Sequence, residues 1–457
     1  TTGSNNVALG LSALQSNTTG SQNTAIGYQA GFSNSTSIGN TAIGYAAAKA
    51  NTTGNNNTAV GRDSLLTATT ASDNVAVGRE AMKRATTGTA NTGIGTEALK
   101  ETTTGSHNTA LGNDALLSNT TASNNTAVGF QAAYSTTTGG PITALGRKAL
   151  YTNTTGVDNT AIGKNALFYN TTGQDNTASG NEAMQANTTG SYNTAYGSDA
   201  LRANTTASSN TALGFQSMYT STTGANNVAL GRNSMYYNTT GGNNVSIGQS
   251  ALNNNTTASG NTAIGYQAGY SNTTGFRNVS VGLQAGYSNQ TGVENTIVGR
   301  HAGYNATGSN NLFLGEETGY SQSSGTFNTY VGTYAGSSML TGNKNTILGK
   351  FNGNQNSLDL SQANNNVVLS DGDGVPVMHF RHSANAFRFR SHVNGVNRIA
   401  VSGTISVGNS GVVNILNQVA GACIVCVYDA GSGSGAAYFV NYGGTTEIIK
   451  DHGFFFF

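Results

Sequence analysis

Tryptophan is absent from the 457 residues, and proline and cysteine each occur only twice, as Pro141 and Pro376 and as Cys423 and Cys426. Two cysteines exclude a disulfide-built scaffold. They stand in "GACIVCVY", whose CxxC spacing suggests half of a redox or zinc site. The segment alternates like a strand, however, and no second pair exists, so small core residues and no metal are expected. Charge is scarce too: Asp, Glu, Lys and Arg make up 9% of the chain and the formal net charge is +1. That balance gives neither nucleic acid nor an anionic membrane a reason to bind. No run approaches the roughly 20 apolar residues of a membrane span, and no charged-then-apolar leader opens the chain. It opens inside a repeat, without Met, so a processed or partial chain is expected. Disorder is disfavoured because proline and net charge are low and the apolar residues are regularly placed.

What is present is glycine, 62 residues of it, at fixed intervals. The Gly closing each line like "NTAIG" recurs from Gly10 to Gly299 in steps of 17, then at Gly315, Gly332 and Gly349 after steps of 16, 17 and 17, giving 21 copies. A period so short and strict identifies a solenoid in which each copy is one coil. In Val7-Ala8-Leu9 or Thr24-Ala25-Ile26 the apolar and small residues alternate with the period of a short strand. The closing Gly (Gly27, Gly61, Gly112, Gly163, Gly265) allows a bend that a β-carbon hinders. A second apolar pair follows, such as Ala13-Leu14 or Ala183-Met184, readable as a second strand or a helical turn. "NTTG" reads as a turn, with Asn bonded to nearby backbone and Gly at positive φ.

The Asn that opens each line (Asn23, Asn57, Asn108, Asn159, Asn261) is expected to stack on its counterparts as an amide ladder, since parallel coils lie about 4.8 Å apart. At that spacing 21 coils make a rod about 100 Å long. Pro141 precedes the one coil that starts with Ile142 in place of Asn. Two or three inward side chains are few against the entropy of ordering a 17-residue coil. Ala on the outward strand position, and a second Ala seven residues after the Asn, leave room for another chain. The coils are therefore expected to pack around copies of themselves, three in number. From Ala268-Gly269-Tyr270 onward Tyr replaces Leu as the bulky group, shifted by one position, as in Ala285-Gly286-Tyr287 and Ala302-Gly303-Tyr304. This reads as a change of cross-section or as a Tyr stripe for carbohydrate.

The "NTAIG" and "NNVALG" lines resemble the repeats of trimeric autotransporter adhesin heads, which implies a left-handed parallel β-roll in a trimer. The longer line "NTAIGYQA…NTTG", followed by "NNNVVLSDGDGVPVMHF" at 364–380, resembles bacteriophage tail-fibre shafts of the kind that precede an endosialidase-type chaperone. The resemblance covers about three quarters of the chain. The chain departs from it in its longer, 17-residue coil and in having no chaperone domain before its end.

After the repeats the composition shifts. Three parts are expected: a solenoid shaft over 1–357, a β-hairpin linker over 358–395 and a small β-sandwich over 396–457. "VVLSDGDGVPVMHF" reads as a hairpin around an Asp-Gly turn, in which Asp371 and Asp373 are solvated and not calcium ligands. His379, His382 and His392 raise an axial metal in a trimer, disfavoured because HxxH does not place two ligands on one strand face. "GSGSGAA" at 431–437 lacks the strand-loop-helix setting of a phosphate loop. The terminal Phe454 to Phe457 need burial against a partner or a continuing chain.

No nucleophile-base pair or metal motif is present, and Asp63, Asp114 and Asp158 vary from coil to coil as surface residues do. No enzymatic activity and no cofactor are expected, although carboxylates from different coils leave glycan cleavage to be examined. The expected role is a structural fibre and attachment protein of a phage tail: an extracellular homotrimer whose knob meets a host glycan or protein through Tyr428, Asp429, Tyr438, Asn441 and Tyr442. No membrane insertion is expected. The alternative is a bacterial cell-surface adhesin or a self-polymerising filament subunit. Two weaker readings remain: the Thr pairs, such as Thr18-Thr19 and Thr154-Thr155, as an ice-binding lattice, and the NTT sequons at Asn17, Asn51, Asn153 and Asn187 as glycosylation sites.

Overall fold

The computed structural model describes residues 2–381 in full and, beyond them, the backbone of strands Ala386–Val393, Val396–Gly403, Cys423–Tyr428, Gly435–Val440 and Thr446–Ile449. Among the described residues there is no helix; the repeats form a parallel β-solenoid of 21 coils, here called rungs and numbered by their closing Gly from Gly10 (rung 1) to Gly349 (rung 21). Each rung contributes a strand of three or four residues paired in register with the next, Ala161 opposite Ala178 and Ala178 opposite Ala195. So short a strand holds because inter-rung hydrogen bonding continues round the coil. Leu167 N–H donates to Ala183, Tyr169 to Gln185 and Thr171 to Thr188, at 2.9–3.0 Å. Rungs stacked on identical rungs thus satisfy backbone groups that a lone turn leaves open.

The second apolar pair is neither strand nor helix. It lies in a run of turns that contains two left-handed residues, two and four positions after the closing Gly, as at Asn165 (φ 57°) and Leu167 (φ 50°). A leucine in that region is unfavourable in isolation; here its side chain is fully buried and fills the core. The closing Gly is required twice over: Gly163 has φ 130°, and a β-carbon on it would lie 2.3 Å from the carbonyl oxygen of Gly180 on the next rung. Gly27, Gly61, Gly112 and Gly265 share that backbone geometry, at φ 132–142°. The Gly of "NTTG" does not have positive φ, contrary to the turn expected there; at Gly190 the constraint is the next rung, whose Ala207 oxygen is 2.3 Å from a β-carbon's position.

The inward and outward faces are opposite to those expected. The central strand Ala points inward, fully buried at Ala144, Ala161, Ala178 and Ala195, as does the second Ala at Ala149 and Ala166. The branched residues point outward: Leu145 is 45% exposed, Ile162 40% and Leu213 46%. The reason is volume, since a coil this thin holds one large side chain per rung and the Leu or Met at the corner takes that space.

From rung 18 the large side chain changes place. Ile297, Phe313, Tyr330 and Ile347 occupy the strand centre, all buried, and Gly303, Gly319 and Gly336 occupy the corner position of Leu. The bulk does not pass to Tyr270, Tyr287 and Tyr304, which lie outside the core in a half-buried row. From rung 18 core volume is preserved by exchange between two facing sites, and not by the expected replacement of Leu by Tyr.

The ladder runs past residue 357. After an excursion that includes the short antiparallel pair Asn354–Gln355 and Leu358–Asp359, strand Asn366–Ser370 returns to pair in parallel with Thr346–Leu348. It then pairs antiparallel with Pro376–Arg381, which is followed by Ala386–Val393 and Val396–Gly403 in the same sheet. Cys423–Tyr428, Gly435–Val440 and Thr446–Ile449 form a separate antiparallel sheet.

Candidate functional site

The amide ladder is the most regular feature of the interior. Its constant bond is from the main chain: each opening Asn N–H donates to the side-chain Oδ1 of the Asn one rung before, at 2.9 Å for Asn23 to Asn6, 2.8 Å for Asn57 to Asn40, 3.0 Å for Asn108 to Asn91 and 2.9 Å for Asn261 to Asn244. The side-chain Nδ2 donates to a carbonyl of the following coil, as from Asn159 to Gly173 at 2.7 Å, and in several rungs also to the preceding Oδ1, as from Asn193 to Asn176 at 3.1 Å. Every polar group of these buried amides thereby finds a partner, which removes the desolvation penalty. At Ile142 the amide is missing. There the strands lengthen to four residues, Ile142–Leu145 and Asn159–Ile162, and backbone pairing takes over.

A second ladder, which sequence reasoning missed, is built from the Asn of "NTTG". Asn170 donates to Asn153, Asn187 to Asn170 and Asn204 to Asn187, at 2.8–2.9 Å. The signal was the recurrence of Asn at that position, read only as turn chemistry. These side chains are enclosed: Asn51, Asn153 and Asn187 are at most 2% exposed, so the folded rod offers no glycan acceptor at those sequons. Where Ser221 replaces Asn, its hydroxyl and the Asn204 Oδ1 before it are both left without a partner. The first Thr of each pair is committed along the rod, Thr154 Oγ1 donating to the Thr171 carbonyl at 3.1 Å.

Three outward surfaces result. The strand face carries Thr or Val at its first position and Ile, Leu or Val at its third in nearly every rung, with no charged residue among the strands of rungs 1–21. A corner row carries aromatic rings stacked along the axis: Tyr134, Tyr151 and Phe168, then Tyr270, Tyr287, Tyr304 and Tyr320, at centroid separations of 5.0–5.2 Å. Each ring covers its neighbour's face, so the flat surface on which a sugar would stack is occupied within the row. The third surface is a charge network over rungs 4–6. Glu80 meets Lys100 at 2.9 Å and Lys83 at 3.5 Å, and Glu97 meets Arg79 at 2.7 Å and Lys100 at 3.1 Å. The hydrogen bond from Lys100 holds the Glu80 carboxyl below its ordinary range; at Glu97 burial pushes upward, but Lys100 and Arg79 outweigh it. A glycosidic general acid needs the opposite shift.

Of the residues expected to contact a receptor, Tyr428 ends strand Cys423–Tyr428 and Tyr438 lies in Gly435–Val440, paired opposite Val425. Asp429, Asn441 and Tyr442 lie outside the described residues, as do His382, residues 431–434 and Phe454 to Phe457. Cys423 and Cys426 stand opposite Val440 and Ala437 in that sheet. His379 is buried, its Nε2 3.0 Å from Asn366 Oδ1. Asp371 Oδ1 accepts the main-chain N–H groups of Asp373 and Val375, closing the turn. Among the described residues no group of three or more His, Cys, Asp or Glu is placed to hold a metal, and no helix is long and apolar enough to cross a membrane. Asp63 and Asp114 are partly exposed and Asp158 is exposed.

No family model matches the chain, and neither a curated protein nor a solved structure gives a significant match.

Proposed function

We propose that the protein is a structural fibre, a stiff shaft presenting its C-terminal β region for attachment or assembly, and that its setting is an extracellular phage tail fibre. One observation carries this reading: the inter-rung ladder continues in register from rung 1 through Asn366–Ser370, a geometry suited to length and stiffness. In this reading the fibre is a homotrimer. Its copies meet through the strand face, because a charge-free strip of exposed Ile, Leu and Val about 100 Å long exceeds what a monomer ordinarily leaves in water. The Ala positions expected to admit another chain are buried inside the single coil. The C-terminal region completes a sandwich that meets a host glycan or protein at a surface including Tyr428 and Tyr438, which lie on its strands and not on loops, and the shaft does no chemistry.

The test is the native mass of the full chain, expected at three chains and reduced to one, with far-UV dichroism retained, by the combined Leu145→Lys, Ile162→Lys and Leu213→Lys substitutions. A folded wild-type monomer rejects the trimer. Deleting 396–457 is expected to abolish attachment and leave rods visible by electron microscopy; attachment that survives removes the knob from the account.

A further inference from the structure

The exchange of core packing has a seam. Rung 15 is filled at its corner by Leu252, and rung 18 at its strand centre by Ile297, both buried. Between them, rung 16 offers Ala263 and Gly269 and rung 17 offers Ser280 and Gly286, so two successive rungs contribute no large inward side chain. Leu252 and Ile297 lean into the gap from either side: a β-carbon on Gly269 would lie 3.1 Å from Leu252 Cδ2, and one on Gly286 would lie 3.2 Å from Ile297 Cδ1. They do not close it. The buried apolar side chains fall into two clusters, one ending at Ala268 and the other starting at Ala285. A cavity of about 10 Å³ lies at the break, lined by Leu252, Gly269, Asn272, Ser280, Gly286 and Asn289 among others.

Two polar observations fall at the same place. Asn272 and Asn289 are consecutive members of the second amide ladder, yet Asn289 Nδ2 donates only to the Gly292 carbonyl, whereas Asn255 and Asn272 each reach the preceding Asn at 2.8–2.9 Å. Asn272 is 2% exposed and its Oδ1 has no partner. Rungs 2 and 3 also pair small residues, Ala25 with Gly31 and Ala42 with Ala48, but these lie inside one continuous cluster.

We propose that rungs 16 and 17 form a hydrated joint: one water occupies the cavity and donates to Asn272 Oδ1, and local opening of the shaft starts there. A cavity of about 10–15 Å³ with polar walls is the least that holds a single water. Water in place of a leucine forfeits the packing that resists opening, and opening free energies follow local burial.

The experiment is hydrogen exchange on the full chain, read by mass spectrometry. Peptides over 261–289 are expected to exchange at least about tenfold faster than peptides over 159–187, where the second ladder is complete. Gly269→Leu gives rung 16 the packing of rung 15, at a φ of 58° that Leu252, at 44°, already tolerates; Ser280→Ile gives rung 17 the packing of rung 18. Each is expected to slow exchange over 261–289 by about tenfold, so the failure of one variant to fold leaves the other as the test. Equal wild-type rates in the two segments overturn the joint. An experimental density map showing the cavity without a water overturns its hydration.

Discussion

Rungs 4–15 and rungs 18–21 solve one packing problem in opposite ways. In the first group the strand centre is small and, in most rungs, the corner is Leu or Met; in the second the strand centre is Ile, Phe or Tyr and the corner is Gly. The hydrogen-bonded frame is the same in both, down to the main-chain bond from an opening Asn to the Oδ1 of the Asn before it, interrupted only at Ile142. What the difference teaches is that the frame sets the interior volume, and either wall can supply the side chain that fills it.

The largest effect expected from breaking this complementarity is at Phe313, fully buried against Gly319 and stacked on Tyr330 at 5.2 Å. Phe313→Ala should cost about 3–5 kcal/mol, because the glycine corner cannot fill the void. Denaturant unfolding of the full chain measures it, and a loss below 1 kcal/mol would mean that the two walls are not coupled. The frame itself comes next. Asn176→Ala strips the acceptor from Asn193, whose buried main-chain N–H and Nδ2 both donate to it. About 1–3 kcal/mol should be lost. The equivalent change at Asn328, which accepts from Asn345 N–H at 2.9 Å, should cost a similar amount if the frame is common to both groups.

The smallest effect separates the groups by pH. Burial pushes the Tyr330 hydroxyl, which donates to Gln322 Oε1 at 3.1 Å, well above its ordinary value of 10.0. Its contribution is present below pH 10 and lost as pH rises beyond that, so the C-terminal rungs should weaken first in alkali. The Glu80 carboxyl lies below its ordinary value of 4.5. Its contribution is present above that pH and lost as pH falls through the lowered value, so rungs 4–6 should weaken first in acid, by about 1 kcal/mol or less for a network near the surface. Segment-resolved hydrogen exchange at both extremes checks the assignment, and Tyr330→Phe should abolish the alkaline effect alone.

Period, strand position and the first amide ladder were legible because a strict repeat turns single residues into columns, and Asn in a column has one economical use. The facing of the strand was not. Alternation of Thr, Ala and Ile defines two faces without naming the inner one, and the habit of placing the larger residue inside fails where the coil is too thin. The signal lay in the columns themselves: Phe313 and Tyr330 enter at the strand centre in the same rungs in which Gly319 and Gly336 replace Leu at the corner, a covariation between facing sites. The left-handed Leu had no local signal at all, since only its packing makes that conformation acceptable.

One coil has 16 residues, and another step of the ladder, from Asn345 to Asn366, spans 21, yet Asn311 and Asn366 each find the preceding Oδ1 at 3.0 Å. The shorter coil keeps its first Thr, Thr307, whose N–H still donates to Ser323, and drops the outer one. Axial distance therefore depends on how many amides are stacked and is indifferent to how much chain lies between them. Such a molecule is a ruler with fixed graduations, and a loop of any size can be hung from one of its outer corners without moving either end.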